Sequence, residues 1–167
     1  LRLKDLKKYD RVAELEFFFS LSKSEKLIRF LFEQGFISSR GKEDLNIEGF
    51  MTGIIDLAFR KGGKYYLLDY KSNCLGPNES SYDSESLSLA MKRHDYHLQY
   101  LIYTVALHRM LKRDLESYSY EEHFGGVYYF FLRGVDCEKT NGLFFTRPDE
   151  VLIEKIDGYM SVNNEEL

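Results

Sequence analysis

The stretch Gly53–Asn73, GIIDLAFRKGGKYYLLDYKSN, decides the fold. Two apolar, β-prone runs flank Lys61-Gly62-Gly63-Lys64, which is a hairpin turn signal. A loop centred on the two glycines sets Lys61 across from Lys64. Counting outward sets Asp56 across from Asp69, with Cβ atoms roughly 4.5–5.5 Å apart. Side chains two apart on a strand share a face, so Lys71 joins Asp69. Tyr70 points to the other face and leaves its carbonyl between them. A slip of one residue would put the two carboxylates on opposite faces. One face of one hairpin is therefore expected to hold two acids and a lysine.

Such an arrangement is costly without a partner. Like charges directly opposed on a sheet destabilise it, and the neighbours Ile54, Ile55, Leu67 and Leu68 worsen the desolvation. Either one acid takes a proton or a cation sits between them. Asp56, Asp69 and the Tyr70 carbonyl make a hard oxygen site suited to Mg²⁺. A metal there can stabilise charge on a transferring phosphate, and Lys71 can orient an attacking water. The plainer alternative is a structural cluster at a sheet edge, with Asp69 salt-bridged to Lys71. By itself the D…D-x-K pattern is short and arises often by accident.

Working outward, residues 12–21 (VAELEFFFSL) read as a strand. Ser22–Ser24 offer N-cap chemistry for a short helix through Leu27, Ile28, Leu31 and Phe32, closed by Gly35. The first hairpin strand is expected over 47–60, with Gly49 and Gly53 marking a bulge or a close approach. A polar loop spans 72–81. A helical pattern runs over 83–113, broken near His94-Asp95-Tyr96. Gly125-Gly126 precede a strand, VYYFFL, ended by Gly134. A loop and a tail helix over about 149–160 follow. The order of elements predicts an α/β domain with a mixed sheet covered by helices.

The chain of 167 residues fits one domain, taken as residues 1–167. A hydrophobic content of 44% excludes a disordered chain. The net charge of −4 does not advertise nucleic-acid binding, although a carboxylate-and-metal site is negative by design. Basic residues fall in groups: Lys7-Lys8, Arg60-Lys61 with Lys64, Lys92-Arg93-His94, and Lys112-Arg113. Most are expected to be solvated faces. Cys74 and Cys137 have no C-x-x-C partner and make neither a zinc nor an iron–sulfur site. Loose thiols and the lack of a signal peptide point to the cytoplasm, and no apolar run is long enough for a membrane span.

Beyond the short motif, Gly53–Asn73 resembles the signature stretch of RecB-type nuclease domains, members of the PD-(D/E)xK nuclease superfamily. His97–Leu111 (HLQYLIYTVALHRML) resembles that family's Q-x-x-x-Y helix, falling on Gln99 and Tyr103. HFGGVYYFFLRGVD (123–136) resembles its next strand and ELEFFFSL (14–21) an upstream strand. The similarity covers roughly Val12 to Pro148, in order. It implies a restriction-endonuclease-like core with a long central hairpin flanked by helices. The catalytic residues it implies are Asp56, Asp69, Lys71, Gln99 and Tyr103, with metal held by Asp56, Asp69 and the Tyr70 carbonyl.

The resemblance further implies Mg²⁺-dependent cleavage of single strands from unwound DNA, in repair and recombination. It implies a longer helicase–nuclease polypeptide, RecC-like and RecD-like subunits, and a surface that helps load RecA. No Walker-type phosphate loop occurs in this chain, so the ATP-driven motor is not in it. The superfamily's proline–aspartate pair is here Ile55-Asp56. An upstream G-T-x-x-H pattern, whose histidine completes the family's metal site, is absent. His94, His97, His108 and His123 all lie downstream of the hairpin and do not match it. His94 and His97 are expected at a solvated helix junction. Tyr118, Tyr120, Tyr128 and Tyr129 can stack on bases, though core packing is the commoner use. Two other readings stand beside the nuclease: a catalytically incomplete module that docks RecA or partner subunits, and a stand-alone phage or CRISPR-associated exonuclease of the same superfamily.

Overall fold

The computed structural model describes residues 3–21, 25–37, 49–135 and 140–161. Five strands form one sheet in the order β1-β2-β3-β4-β5. β1 (Arg11–Leu21), β2 (Gly49–Lys61) and β3 (Lys64–Lys71) pair antiparallel. β4 (Phe124–Phe131) runs parallel to β3, and β5 (Leu143–Thr146) is antiparallel to β4. The fold is α/β, with the mixed sheet and long hairpin of a restriction-endonuclease-like core.

Helices α1 (Glu25–Glu33), α2 (Ser84–Arg93), α3 (Tyr96–Asp114) and α5 (Glu150–Met160) bury their apolar stripes against one sheet face. A one-turn α4 (Tyr120–His123) leads into β4. On the opposite face Leu57, Phe59 and Leu68 form a smaller cluster with Leu3 and Leu6. Among the described residues no helix is long and apolar enough to cross a membrane.

The hairpin has the expected register. Lys61 pairs with Lys64, and the ladder continues to Leu57 opposite Leu68. Ala58 and Leu67 face the helices, whereas Leu57, Phe59 and Leu68 face away. The expectation of a regular ladder through Asp56 and Asp69 is corrected by the structure, because pairing stops one step short of them. On the other side, β1 pairs with β2 on both flanks of Glu14 but not at it. Glu14 has φ +52°, a left-handed conformation that L-residues rarely adopt in a strand. The register resumes unchanged at Leu15 opposite Ile55, so no residue is inserted. Alternation nevertheless breaks, for Ile55 lies in the helix-side core and Leu57 in the opposite cluster. The hairpin is irregular where its two acids sit.

Gly53 meets the expectation of a close approach. It pairs with Phe17, and the phenylalanine ring occupies the space a Cβ would need. The helix break also falls as expected, with Asp95 at φ +54° between α2 and α3. β4 starts earlier than the sequence predicts and contains both Gly125 and Gly126. Gly125 lies under the Tyr66 ring, and the β3–β4 register shifts between Tyr65 and Tyr66. Close packing, rather than a turn, uses these glycines. β5 corrects the loop expected after Gly134, and α4 falls where no element was assigned, because four residues are too short to show a period. The readings placed on Ser22–Ser24, Ile47 and Cys137 lie outside the described residues.

Candidate active site

β3 delivers Asp69 and Lys71 to the helix-covered face. Asp69 is 4% exposed. Lys71 Nζ stands 2.8 Å from Asp69 Oδ2, a close, largely buried ion pair. Burial pushes the Asp69 carboxyl above its usual value. Lys71 opposes the shift, and the nearby Asp56 charge adds to it.

Lys71 is held by more than Asp69. Its ammonium donates to Gln99 Oε1 at 2.8 Å and lies 3.9 Å from the centre of the Tyr96 ring and 5.2 Å from that of Tyr129. Gln99 Nε2 donates to Tyr103 Oη at 2.9 Å. Gln99 and Tyr103 are one turn apart on α3, so one helix face carries both. Tyr129 Oη, completely buried, donates to Gln99 Oε1 at 3.1 Å and approaches the Tyr96 carbonyl at 3.3 Å. Tyr96 Oη donates to Asn73 Oδ1 at 3.1 Å, which ties the chain after β3 to the start of α3. Burial raises the phenol pKa values of Tyr103 and Tyr129. These rings are neutral supports for a fixed cation.

Asp56 reaches the same place from β2. The Tyr70 N–H donates to Asp56 Oδ2 at 2.8 Å. A carboxylate thus takes the donor that the next rung of the ladder would have used. The Lys71 carbonyl accepts from Leu132 N on the β4 side. Neighbouring residues of a strand address opposite edges, so the Tyr70 carbonyl is turned to the β2 side, beyond the end of the ladder. Two carboxylates and that carbonyl are hard oxygen donors, which suits Mg²⁺ with waters completing its shell. The Asp69 and Asp56 carboxylates together carry more negative charge than Lys71 alone offsets, which suits a further cation. Among the described residues no group of three or more His, Cys, Asp or Glu side chains could hold a metal ion, and the side-chain donors gathered here are two carboxylates.

The four histidines stay outside this centre. His94 is exposed and stacks on Tyr96 at 5.3 Å between ring centroids. His97 is half-buried against Tyr100 and Phe144, not solvated, and its burial lowers its pKa. His108 is buried and bonds Tyr118 Oη at 3.0 Å. His123 bonds the Ser119 backbone at the α4 turn. Tyr120 and Tyr129 are core residues, and Tyr118 and Tyr128 are half-buried. Sequence reasoning missed Tyr96, Tyr129 and Asn73 as neighbours of Lys71. The Tyr96–Gln99 spacing on one helix face was a usable signal. The parallel register that sets Tyr129 beside Asp69 was not.

No protein-family model matches the chain. The RecB subunit of the RecBCD enzyme from Escherichia coli strain K12 is 51% identical over 116 residues, 69% of this chain. The Haemophilus influenzae RecB subunit is 40% identical over 161 residues, 95% of this chain. The chain belongs to the RecB family. The Mycobacterium tuberculosis RecB subunit is 42% identical over 125 residues, 70% of the chain. This RecB-family chain spans roughly a tenth of the length of those relatives: 10%, 13% and 11% respectively.

Proposed function

We propose that this RecB-family chain is the nuclease domain of a RecBCD-like helicase–nuclease, of the exodeoxyribonuclease V type. It hydrolyses phosphodiester bonds in DNA unwound by the same assembly, during double-strand-break repair and recombination. Residues 1–167 make up this one domain of a longer polypeptide that carries the ATP-driven helicase. RecC-like and RecD-like subunits are its partners, and a surface for RecA belongs to the same reading. The observation that carries the proposal is the buried Asp69–Lys71 pair, with Asp56 turned towards it from a distorted strand.

Asp56, Asp69 and the Tyr70 carbonyl would hold Mg²⁺. Bound there, the ion supplies Lewis-acid stabilisation of negative charge on the phosphate oxygens. Lys71 orients the attacking water and neutralises the phosphate, from a position fixed by Asp69 and Gln99. Gln99 and Tyr103 keep that ammonium from swinging away. Pre-set cations of this kind act where charge develops and need no rearrangement during reaction. A module kept only for docking has no use for this centre. Replacing a buried ion pair by apolar residues is often neutral or stabilising, so the pair is better accounted for by chemistry.

The test is cleavage of labelled single-stranded DNA by the chain and by Lys71→Ala, with Mg²⁺ and with a chelator. Mg²⁺-dependent cleavage that Lys71→Ala abolishes is expected. Equal cleavage by both proteins, or cleavage indifferent to the chelator, would sink the assignment.

A further inference from the structure

Two grooves include residues that neighbour the Lys71 centre, Gln99 in one and Asn73 in the other, and they differ in chemistry. One lies between β1–β2 and α3, lined by Gly53, Leu98, Gln99, Ile102 and Tyr103, and the charged side chain it carries is Asp95. The other, of about 480 Å³, lies between the Asn73–Leu75 segment and α2. Its polar lining is Asn73, Ser81, Ser86, Arg93 and His94, and it carries no carboxylate. Asn73 connects this groove to the centre, since it accepts the Tyr96 hydroxyl hydrogen bond two residues after Lys71. Arg93 is exposed, and among the described residues it has no carboxylate partner. A second guanidinium flanks the same segment: Arg133 Nε donates to the Ser72 carbonyl at 2.9 Å.

We propose that the Asn73–Arg93 groove seats the sugar–phosphate backbone of a single nucleic-acid strand beside the bond to be cut, with Arg93 and Arg133 as phosphate partners. The claim rests on the nuclease reading for the identity of its ligand. Electrostatics selects the groove. A strand carries one negative charge per nucleotide, and neutralising phosphates drives binding. The groove at Gly53–Tyr103 offers an acid and apolar walls, which repel a phosphate and suit an unstacked base. The Asn73–Arg93 groove offers the Arg93 guanidinium, with Arg133 beside the same segment, and the planar fork of a guanidinium matches phosphate oxygens. A net charge of −4 over the whole chain is compatible with this local cationic edge. The exposed His94 ring, stacked on Tyr96, lies along the same path. The strand is thereby given a direction over the surface, from Lys71 towards the C-terminal turn of α2.

The experiment measures binding of a labelled oligothymidylate by fluorescence anisotropy over a range of salt, with Ca²⁺ in place of Mg²⁺ to prevent turnover. Arg93→Ala is compared with Lys61→Ala at the far hairpin tip. Loss of one phosphate contact lowers the log–log salt slope by about 0.7 for a single strand, or about fivefold in affinity near 0.1 M salt. Arg93→Ala and Arg133→Ala should each show this loss, and Arg93→Glu a larger one. In Mg²⁺ the defect should fall on KM rather than kcat. An unchanged slope in Arg93→Ala, or an equal loss in Lys61→Ala, overturns the groove. If strand binding depends on Arg93 but no cleavage occurs, the groove stands and the nuclease reading fails.

Discussion

Replacing Gln99 by methionine keeps the length of the side chain and removes its polar atoms. In the structure Gln99 accepts from Lys71 Nζ at 2.8 Å and Tyr129 Oη at 3.1 Å, and donates to Tyr103 Oη at 2.9 Å. Tyr129 retains the Tyr96 carbonyl, so its loss is small. The Lys71 bond is charge-assisted and its side chain is only 11% exposed, so about 1.5–3 kcal/mol rides on it. The Tyr103 bond adds about 1 kcal/mol. A destabilisation of about 2.5–4 kcal/mol follows, or a fall in Tm of roughly 5–15 °C for a domain of this size. Urea unfolding of wild type, Gln99→Met, Lys71→Met and the double variant isolates the pair. The coupling between the two sites should be about 1.5–3 kcal/mol. Cleavage should drop at least tenfold in Gln99→Met, because Lys71 is left with Asp69 as its one hydrogen-bonding-distance neighbour among the described contacts. A coupling below about 0.5 kcal/mol would refute the account of Gln99 as the residue that holds Lys71.

Asp69 gives a pH and metal prediction. Burial raises its folded-state pKa above the unfolded value, so its ionisation disfavours the fold as pH rises from roughly 4 through the raised value. Without metal, Asp69→Asn should gain on wild type across that window, and Mg²⁺ should protect wild type alone, by about 2.7 kcal/mol at a hundred times its Kd. A difference between the two proteins that is constant with pH contradicts this. Tyr96→Leu removes the ring beneath the Lys71 ammonium, a contact of about 0.5–2 kcal/mol, and should slow cleavage several-fold; Tyr96→Phe, which loses only the Asn73 bond, should lose less. An order reversed between these two variants in single-turnover cleavage counts against the cation–ring contact. His108 has a pKa lowered by burial, with Nε2 buried and without a hydrogen-bond partner among the described residues. Its contribution is full above about pH 6.5 and is lost as pH falls through the lowered folded value. His108→Phe should therefore flatten the fall in urea midpoint between pH 7 and pH 5, and an equally steep fall would exclude His108 as its source.

Much of the hairpin was legible because its signals are local. Lys61-Gly62-Gly63-Lys64 fixes the turn, the turn fixes the register, and the register carries Asp69 and Lys71 to one face through a period of two. The Gln99–Tyr103 spacing is likewise written into the pitch of a helix. Local rules failed at Asp56, where pairing stops and the alternation of β2 breaks. They also failed at β5, whose four residues pair only because β4 is already in place.

The sequence by itself thus determined the elements, the register of the hairpin and the set of chemical groups, since each follows from spacing along one segment. Only the tertiary structure decided what surrounds Lys71. Tyr129 arrives through a parallel pairing with β3 across more than fifty residues of intervening chain, and Tyr96 and Gln99 come down on the sheet from α3. Only the fold, too, buried the Asp69–Lys71 pair and brought Arg93 and Asn73 to one groove. Those outcomes depend on which surfaces meet when helices cover a sheet, and no period along the chain encodes that.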